Sequence, residues 1–225
     1  MAQCARHQSV MFLQLFMALV LLLEGGPYGH HLVFEKNKGQ APADVRYLLH
    51  THEYHVDFKR GEMVFHLGSK DLRVRFDGRL NKKVPEGHAR IDGLVRYLDA
   101  DSAVDVDDIP KFSSVKYESL YAGIDLSCYG RDGQLECDFI ALSGADPSQI
   151  RVDLDGAERL EVDEAGSLVI TVGGQPLHIR KPIAFQLQHG ERTPVEIRYQ
   201  LMDPHEVGFA VGEYNRSIPL IIDPR

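Results

Sequence analysis

Residues 119–147, SLYAGIDLSCYGRDGQLECDFIALSGADP, decide the fold. Asp132-Gly133 separates two runs of alternating apolar and polar residues. A two-residue type I′ turn needs φ > 0 at both central positions, and Asp-Gly supplies it, so the stretch is predicted to be a β-hairpin. That turn pairs Arg131 with Gln134, and the pairing runs outward: Gly130 with Leu135, Tyr129 with Glu136, Cys128 with Cys137, Ser127 with Asp138 and Leu126 with Phe139. Side chains alternate between the faces of a strand. One face therefore collects Ile124, Leu126, Cys128, Leu135, Cys137, Phe139 and Ala141, and the other Asp125, Ser127, Tyr129, Glu136 and Asp138. A slip of one residue would mix these sets, so the register supports itself.

Two consequences follow from the register. Cys128 and Cys137 fall at a non-hydrogen-bonded pair, where Cα atoms lie about 4.5 Å apart, the short end of the range a disulfide tolerates. They are either a disulfide, favoured in an exported chain, or two reduced thiols packed as small hydrophobes. On the opposite face Asp125, Glu136 and Asp138 form a cluster, with Asp125 diagonal to Asp138 at roughly 7–8 Å. Such carboxylates can ligate Ca²⁺ or act as general acid and base. Ion pairs and backbone caps are the more ordinary expectation, so no metal or other cofactor is assigned, with Asp125, Glu136 and Asp138 kept as Ca²⁺ candidates.

The rest of the 225 residues frames this hairpin. Residues 1–29 are predicted to be a signal peptide. Arg6 precedes residues 10–23, an apolar run broken only by Gln14, which is short for a membrane span and right for a signal-peptide core. Residues 24–29 lack an A-x-A-like cleavage site, and no later stretch approaches span length. Export to the periplasm, cell surface or medium is expected, and it permits a disulfide. Residues 30–225 are expected to form one all-β domain, in one body or two lobes. Strands are predicted at 45–49, 54–58, 63–67, 72–76, 91–98 and 112–117, then the hairpin, then 150–154, 159–162, 168–172, 177–180, 183–188, 195–202, 207–211 and 219–222. Loops are expected at 78–87 and through the acidic run 99–108. Many short strands with frequent turns and no 3.6-residue periodicity make an antiparallel β-sandwich the expected architecture.

Composition narrows the function. A formal net charge of −8 argues against nucleic acid and anionic membranes as partners, and the absence of Trp weakens a sugar-stacking platform. On a strand His50 and His52 would share a face while His55 would point away, with no third ligand evident, an incomplete zinc set. Asp99, Asp101, Asp105, Asp107 and Asp108 lack the Gly and terminal Glu of a calcium loop. No nucleophile elbow, phosphate loop or dinucleotide motif occurs, and no catalytic set assembles.

Five landmarks carry a resemblance. Phe34-Glu35-Lys36-Asn37-Lys38-Gly39-Gln40 is similar to an opening F-E-x-N-x-G-Q, and residues 121–126 with Tyr129-Gly130 to a central Y-x-G-I-D-L…Y-G. Residues 135–139 resemble L-E-Y-D-F, residues 144–147 G-A-D-P, and residues 219–224 the closing strand. Together they resemble a family of domains of unknown function in bacterial secreted and surface proteins that commonly precede SBBP-type β-propeller repeats. Cys137 stands where the family has an aromatic residue. The resemblance implies an extracytoplasmic, non-enzymatic module and brings no catalytic residues. No repeat follows residue 225 in this sequence, so a propeller partner is expected on another chain. The expected function is docking or structural interaction with a protein, envelope or polysaccharide surface. The alternatives are a Ca²⁺-dependent glycan- or surface-binding domain and a hydrolase using Glu136 with Asp138.

Overall fold

The computed structural model describes residues 32–76, 83–97, 106–188 and 190–224. The predicted signal peptide, residues 78–82 of the expected loop and residues 99–105 of the acidic run lie outside the described residues. The strands begin with β1 (Phe34–Lys36), β2 (Val45–His50), β3 (His55–Lys59), β4 (Glu62–Leu67) and β5 (Lys70–Phe76). Two long strands follow, β6 (Glu86–Tyr97) and β7 (Val106–Tyr121), and then the hairpin, β8 (Ile124–Arg131) and β9 (Gln134–Ala141). A 3-10 turn at Pro147–Gln149, whose first N–H groups are capped by Asp146, leads to β10 (Val152–Asp155). After it come β11 (Arg159–Val162), β12 (Leu168–Val172) and β13 (Gln175–Ile179). The last are β14 (Ile183–Gln188), β15 (Glu191–Val195), β16 (Ile197–Asp203), β17 (Glu206–Val211) and β18 (Leu220–Asp223).

The hairpin forms in the register derived above, from Arg131↔Gln134 out to Ile124↔Ala141. Asp132 and Gly133 have φ of 51° and 78°, as the type I′ turn requires. β1 is a strand where none was expected, and of the boundaries that differ from the sequence reading three are the most informative. β6 starts at Glu86, inside the expected 78–87 loop, because residues 86–88 pair with residues 114–116 of β7. β7 likewise starts inside the acidic run, with Asp107 and Asp108 in the strand. The strand expected at 195–202 starts at Ile197, and Val195 instead ends a separate strand, β15, which carries Pro194. Pro cannot donate to a ladder, so β15 is tolerated because it lies at the end of its sheet.

Fifteen strands make one antiparallel sheet, in the order β15-β14-β18-β9-β8-β7-β1-β2-β3-β4-β5-β10-β17-β16, with β6 on the far edge of β7. β1 and β8 share the other edge of β7 end to end, at Phe112 and at residues 114–121 respectively. They meet so closely that a Cβ on Gly130 would lie 2.7 Å from Cβ of Leu32, which explains the glycine after Tyr129.

The sheet folds over on itself. Phe76 of β5 packs on Tyr117 of β7 and Phe139 of β9, with ring centroids 5.7 and 6.5 Å apart, and Phe139 meets Phe209 of β17 at 5.9 Å. None of these strands are neighbours in the sheet, so the contacts cross between two facing layers. The three-stranded sheet β11-β12-β13 adds Leu168, Ile170, Val172, Leu177 and Ile179 to the same buried apolar cluster. The result is an antiparallel, sandwich-like all-β fold. Where the layers meet there is an apolar cavity of about 90 Å³, lined by Phe65, Leu126, Phe139, Ile170, Tyr199 and Phe209 among others.

Candidate functional site

The polar face of the hairpin builds the densest cluster of titratable groups described, and the register explains its membership. Tyr129 and Glu136 are direct cross-strand partners, and Arg131 and Asp138 lie two residues along on the same face. The Tyr129 hydroxyl donates to Oδ2 of Asp138 at 2.8 Å and lies 3.4 Å from Oε2 of Glu136. Arg131 donates from Nη2 to the same hydroxyl at 3.0 Å and pairs through Nη1 with Glu136 Oε2 at 2.7 Å.

The fifth member, Asp223, comes from the other end of the chain. β18 pairs with β9 through Ile222↔Phe139, and one step further places Asp223 opposite Asp138. Asp223 is buried, and its Oδ2 lies 3.8 Å from Arg131 Nη1. Sequence reasoning missed it; its signal was the Asp223-Pro224 ending of the closing landmark, which says nothing about which strand it joins.

This environment moves two protons. Burial chiefly raises the Asp138 carboxyl, to about 6; the bond from Tyr129 opposes the shift and the Asp223 charge reinforces it. Burial, then the Asp138 charge and its hydrogen bond, push the Tyr129 phenol far above its ordinary value. Oδ1 of Asp138 is buried with no hydrogen-bond partner among the described residues, so an ionised Asp138 is only half served.

The sign of the pH effect follows. The folded state holds the Asp138 proton more tightly than the unfolded state, so stability from this group is present in acid and lost as pH rises from about 4 through about 6. Asp138→Asn keeps an acceptor for Tyr129 and removes the charge. We expect it to stabilise the protein at pH 8 by an amount of order 1–2 kcal/mol, with the gap closing by pH 4.5. Urea midpoints of both proteins at the two pH values check this; an equal gap at both would show that Asp138 does not titrate in this range.

The structure does not bring Asp125 into this cluster. Asp125 is buried, accepts from the Ser119 N–H at 2.7 Å and pairs with Lys116 Nζ at 2.8 Å. Ser119 has φ of 49°, within the irregular pairing of β7 with β8 between Tyr117 and Tyr121. Asp125 therefore holds a left-handed residue in place. Among the described residues no group of three or more His, Cys, Asp or Glu is arranged to hold a metal ion.

The histidines are arranged differently from the sequence reading. Thr51 accepts from the N–H groups of Glu53 and Tyr54 and donates to the Tyr54 carbonyl, so residues 51–54 turn and His52 leaves the strand. The turn brings His55 back opposite His50, and His66 follows opposite His55. Their rings line up across β2, β3 and β4, with centroids 5.8 and 4.1 Å apart. His66 places Nδ1 2.8 Å from Asp71 and Nε2 3.2 Å from buried Asp57. Both its ring nitrogens are thus occupied, so His66 braces β3, β4 and β5 by hydrogen bonds while ring stacking extends the row to His50 on β2. Burial first, then the neighbouring His66, lowers the His55 pKa.

Cys128 and Cys137 form a disulfide across the hairpin, with Cα atoms 4.0 Å apart, close to the spacing expected of the non-hydrogen-bonded pair. Among the described residues no helix is long and apolar enough to cross a membrane.

No curated protein and no solved structure matches this chain. A family model matches it over residues 34–225, from the first described strand to the end of the sequence. That span contains all five landmarks and the residues of the hairpin cluster, and the chain belongs to the family described as domain of unknown function DUF7948.

Proposed function

We propose that the protein is an exported, non-catalytic module of a bacterial surface or secreted protein, which docks onto a protein or envelope surface. One observation carries this reading: the three candidate carboxylates of the hairpin are spent inside the fold. Asp125 holds Ser119, Glu136 pairs with Arg131, and Asp138 accepts from Tyr129. An acid–base pair or nucleophile needs a reacting atom within reach in a space the substrate can enter. Neither the apolar cavity nor the surface pocket beside the Asn37 loop includes a member of the hairpin cluster. A β-propeller is the kind of β-rich partner this reading accommodates.

The test is a pair of thermal melts, in excess Ca²⁺ and in EDTA, with a parallel incubation on acidic and neutral polysaccharides assayed for new reducing ends. Superimposable melts and no release are expected. Ca²⁺ at about 100-fold over Kd would add roughly 2.7 kcal/mol. A shift of that order, lost in the double variant Asp125→Asn/Asp138→Asn, would replace this reading by Ca²⁺-dependent binding. Release of reducing ends abolished by Glu136→Gln would replace it by a hydrolase.

A further inference from the structure

The opening landmark does more than begin the sheet. Asn37 donates from Nδ2 to the carbonyls of Ala41, Pro42 and Val45 at 3.1, 2.9 and 2.9 Å, and its Oδ1 accepts from the N–H groups of Gly39 and Ala41. Gln40 closes the same loop, accepting from the Lys38 N–H and donating to the Lys36 carbonyl. The Asn37 N–H then donates to the Arg46 carbonyl, tying the loop to β2. At that point the pairing of β2 with β3 shifts, from Val45↔Lys59 to Tyr47↔Phe58, leaving Arg46 at the irregularity. An extra residue of this kind re-aims a side chain out of the regular alternation.

These residues wall a surface pocket of about 400 Å³ together with Val84 and Pro85. Its lining includes Lys36, Arg46 and Tyr47 and no acidic residue, although the chain carries a formal net charge of −8. Lys36 and Arg46 are exposed, and no side-chain partner for either is found among the described residues. The Tyr47 ring is buried, packed edge-on against Phe112 at 5.6 Å, and its hydroxyl likewise has no partner among the described residues. Ala41, Ala43, Val45, Val84 and Pro85 supply an aliphatic wall.

We infer that this pocket binds a carboxylate carried on a short aliphatic body. The two cations and the phenol supply charge-assisted donors for one anionic head, and the Asn37 loop fixes the backbone that carries them, so only the Lys36 and Arg46 side chains need ordering on binding. A bare inorganic anion would leave the aliphatic wall without contact, and the lining offers no aromatic face on which a sugar ring could stack. Such a ligand has two sources, a free small organic acid and the C-terminal carboxylate of a polypeptide. The choice of the polypeptide rests on the docking reading above; the carboxylate pocket does not.

The experiment is calorimetric titration of the full chain with Gly-Gly-Val as the free acid, the same peptide as its C-terminal amide, isovalerate, glucuronate and inorganic phosphate. We expect the free acid to bind and the amide to bind at least about tenfold more weakly, with Lys36→Met and Arg46→Met each costing about tenfold. Both substitutions are at exposed positions, so melting curves should stay unchanged and certify folding. Isovalerate binding as tightly as the peptide would uphold the carboxylate pocket with a small acid as its occupant, and remove the polypeptide. An amide as tight as the acid, an unaltered titration in the Arg46 variant, preference for glucuronate or phosphate, or binding of none of the probes would overturn the inference. The last result would leave the docking reading standing on other surfaces.

Discussion

Phe139→Ala is expected to destabilise the protein by about 3–5 kcal/mol, the upper range for loss of a buried aromatic side chain. Phe139 is where the facing layers meet: its ring touches Phe76, Tyr121 and Phe209, at centroid distances of 6.5, 6.4 and 5.9 Å. It also lines the apolar cavity of about 90 Å³. Truncation would therefore enlarge an existing void instead of creating one that neighbours could close, and the penalty grows with residual cavity volume. The neighbours are strands on both layers, held by ladders that resist inward collapse. In a domain of this size the loss corresponds to a fall in Tm on the order of 10 °C. Urea unfolding of the wild type, Phe139→Leu and Phe139→Ala measures it. Phe139→Leu should cost clearly less, since it keeps much of the volume. A cost below about 1 kcal/mol for the alanine variant would show that the two layers do not share this contact.

Opening the Cys128–Cys137 bond is expected to cost about 2–3 kcal/mol. The two residues are nine apart in sequence, and the loop-closure entropy restored to the unfolded chain by so short a loop has that size. A hairpin that persists in the unfolded chain would trim the figure. Cys128 is fully buried in the core, and Cys137 is partly buried and packs against it. The double variant Cys128→Ala/Cys137→Ala should melt where the reduced wild type melts and should ignore dithiothreitol. Coincident melts of oxidised and reduced wild type would mean that the bond constrains nothing the hairpin had not already fixed.

Much of the site was legible in the sequence because it is local. A type I′ turn sets the register of its hairpin, and the period of two then sorts every side chain to a face. Tyr129, Glu136 and Asp138 could therefore be placed together, and Cys128 opposite Cys137, before any coordinates. The break between the strands at 45–49 and 54–58 was legible, but counting faces through it misplaced His55, because Thr51 bonds to the turn backbone and brings the chain back so that His55 faces His50. It was also silent on Asn37, whose polar groups face the backbone of its own loop and carry no periodic signal.

The amino-acid sequence by itself determined the all-β class, the hairpin, its register and its two faces, since alternation and turn chemistry act between residues near in the chain. Tertiary structure alone decided that β18 lies beside β9 and so puts Asp223 opposite Asp138. It alone decided that Asp125 serves Ser119 and not the other carboxylates, and that Lys36, Arg46 and Tyr47 line one pocket. Those outcomes depend on pairings between distant strands, which are selected by how a fifteen-stranded sheet can fold over one buried apolar cluster and not by any local preference.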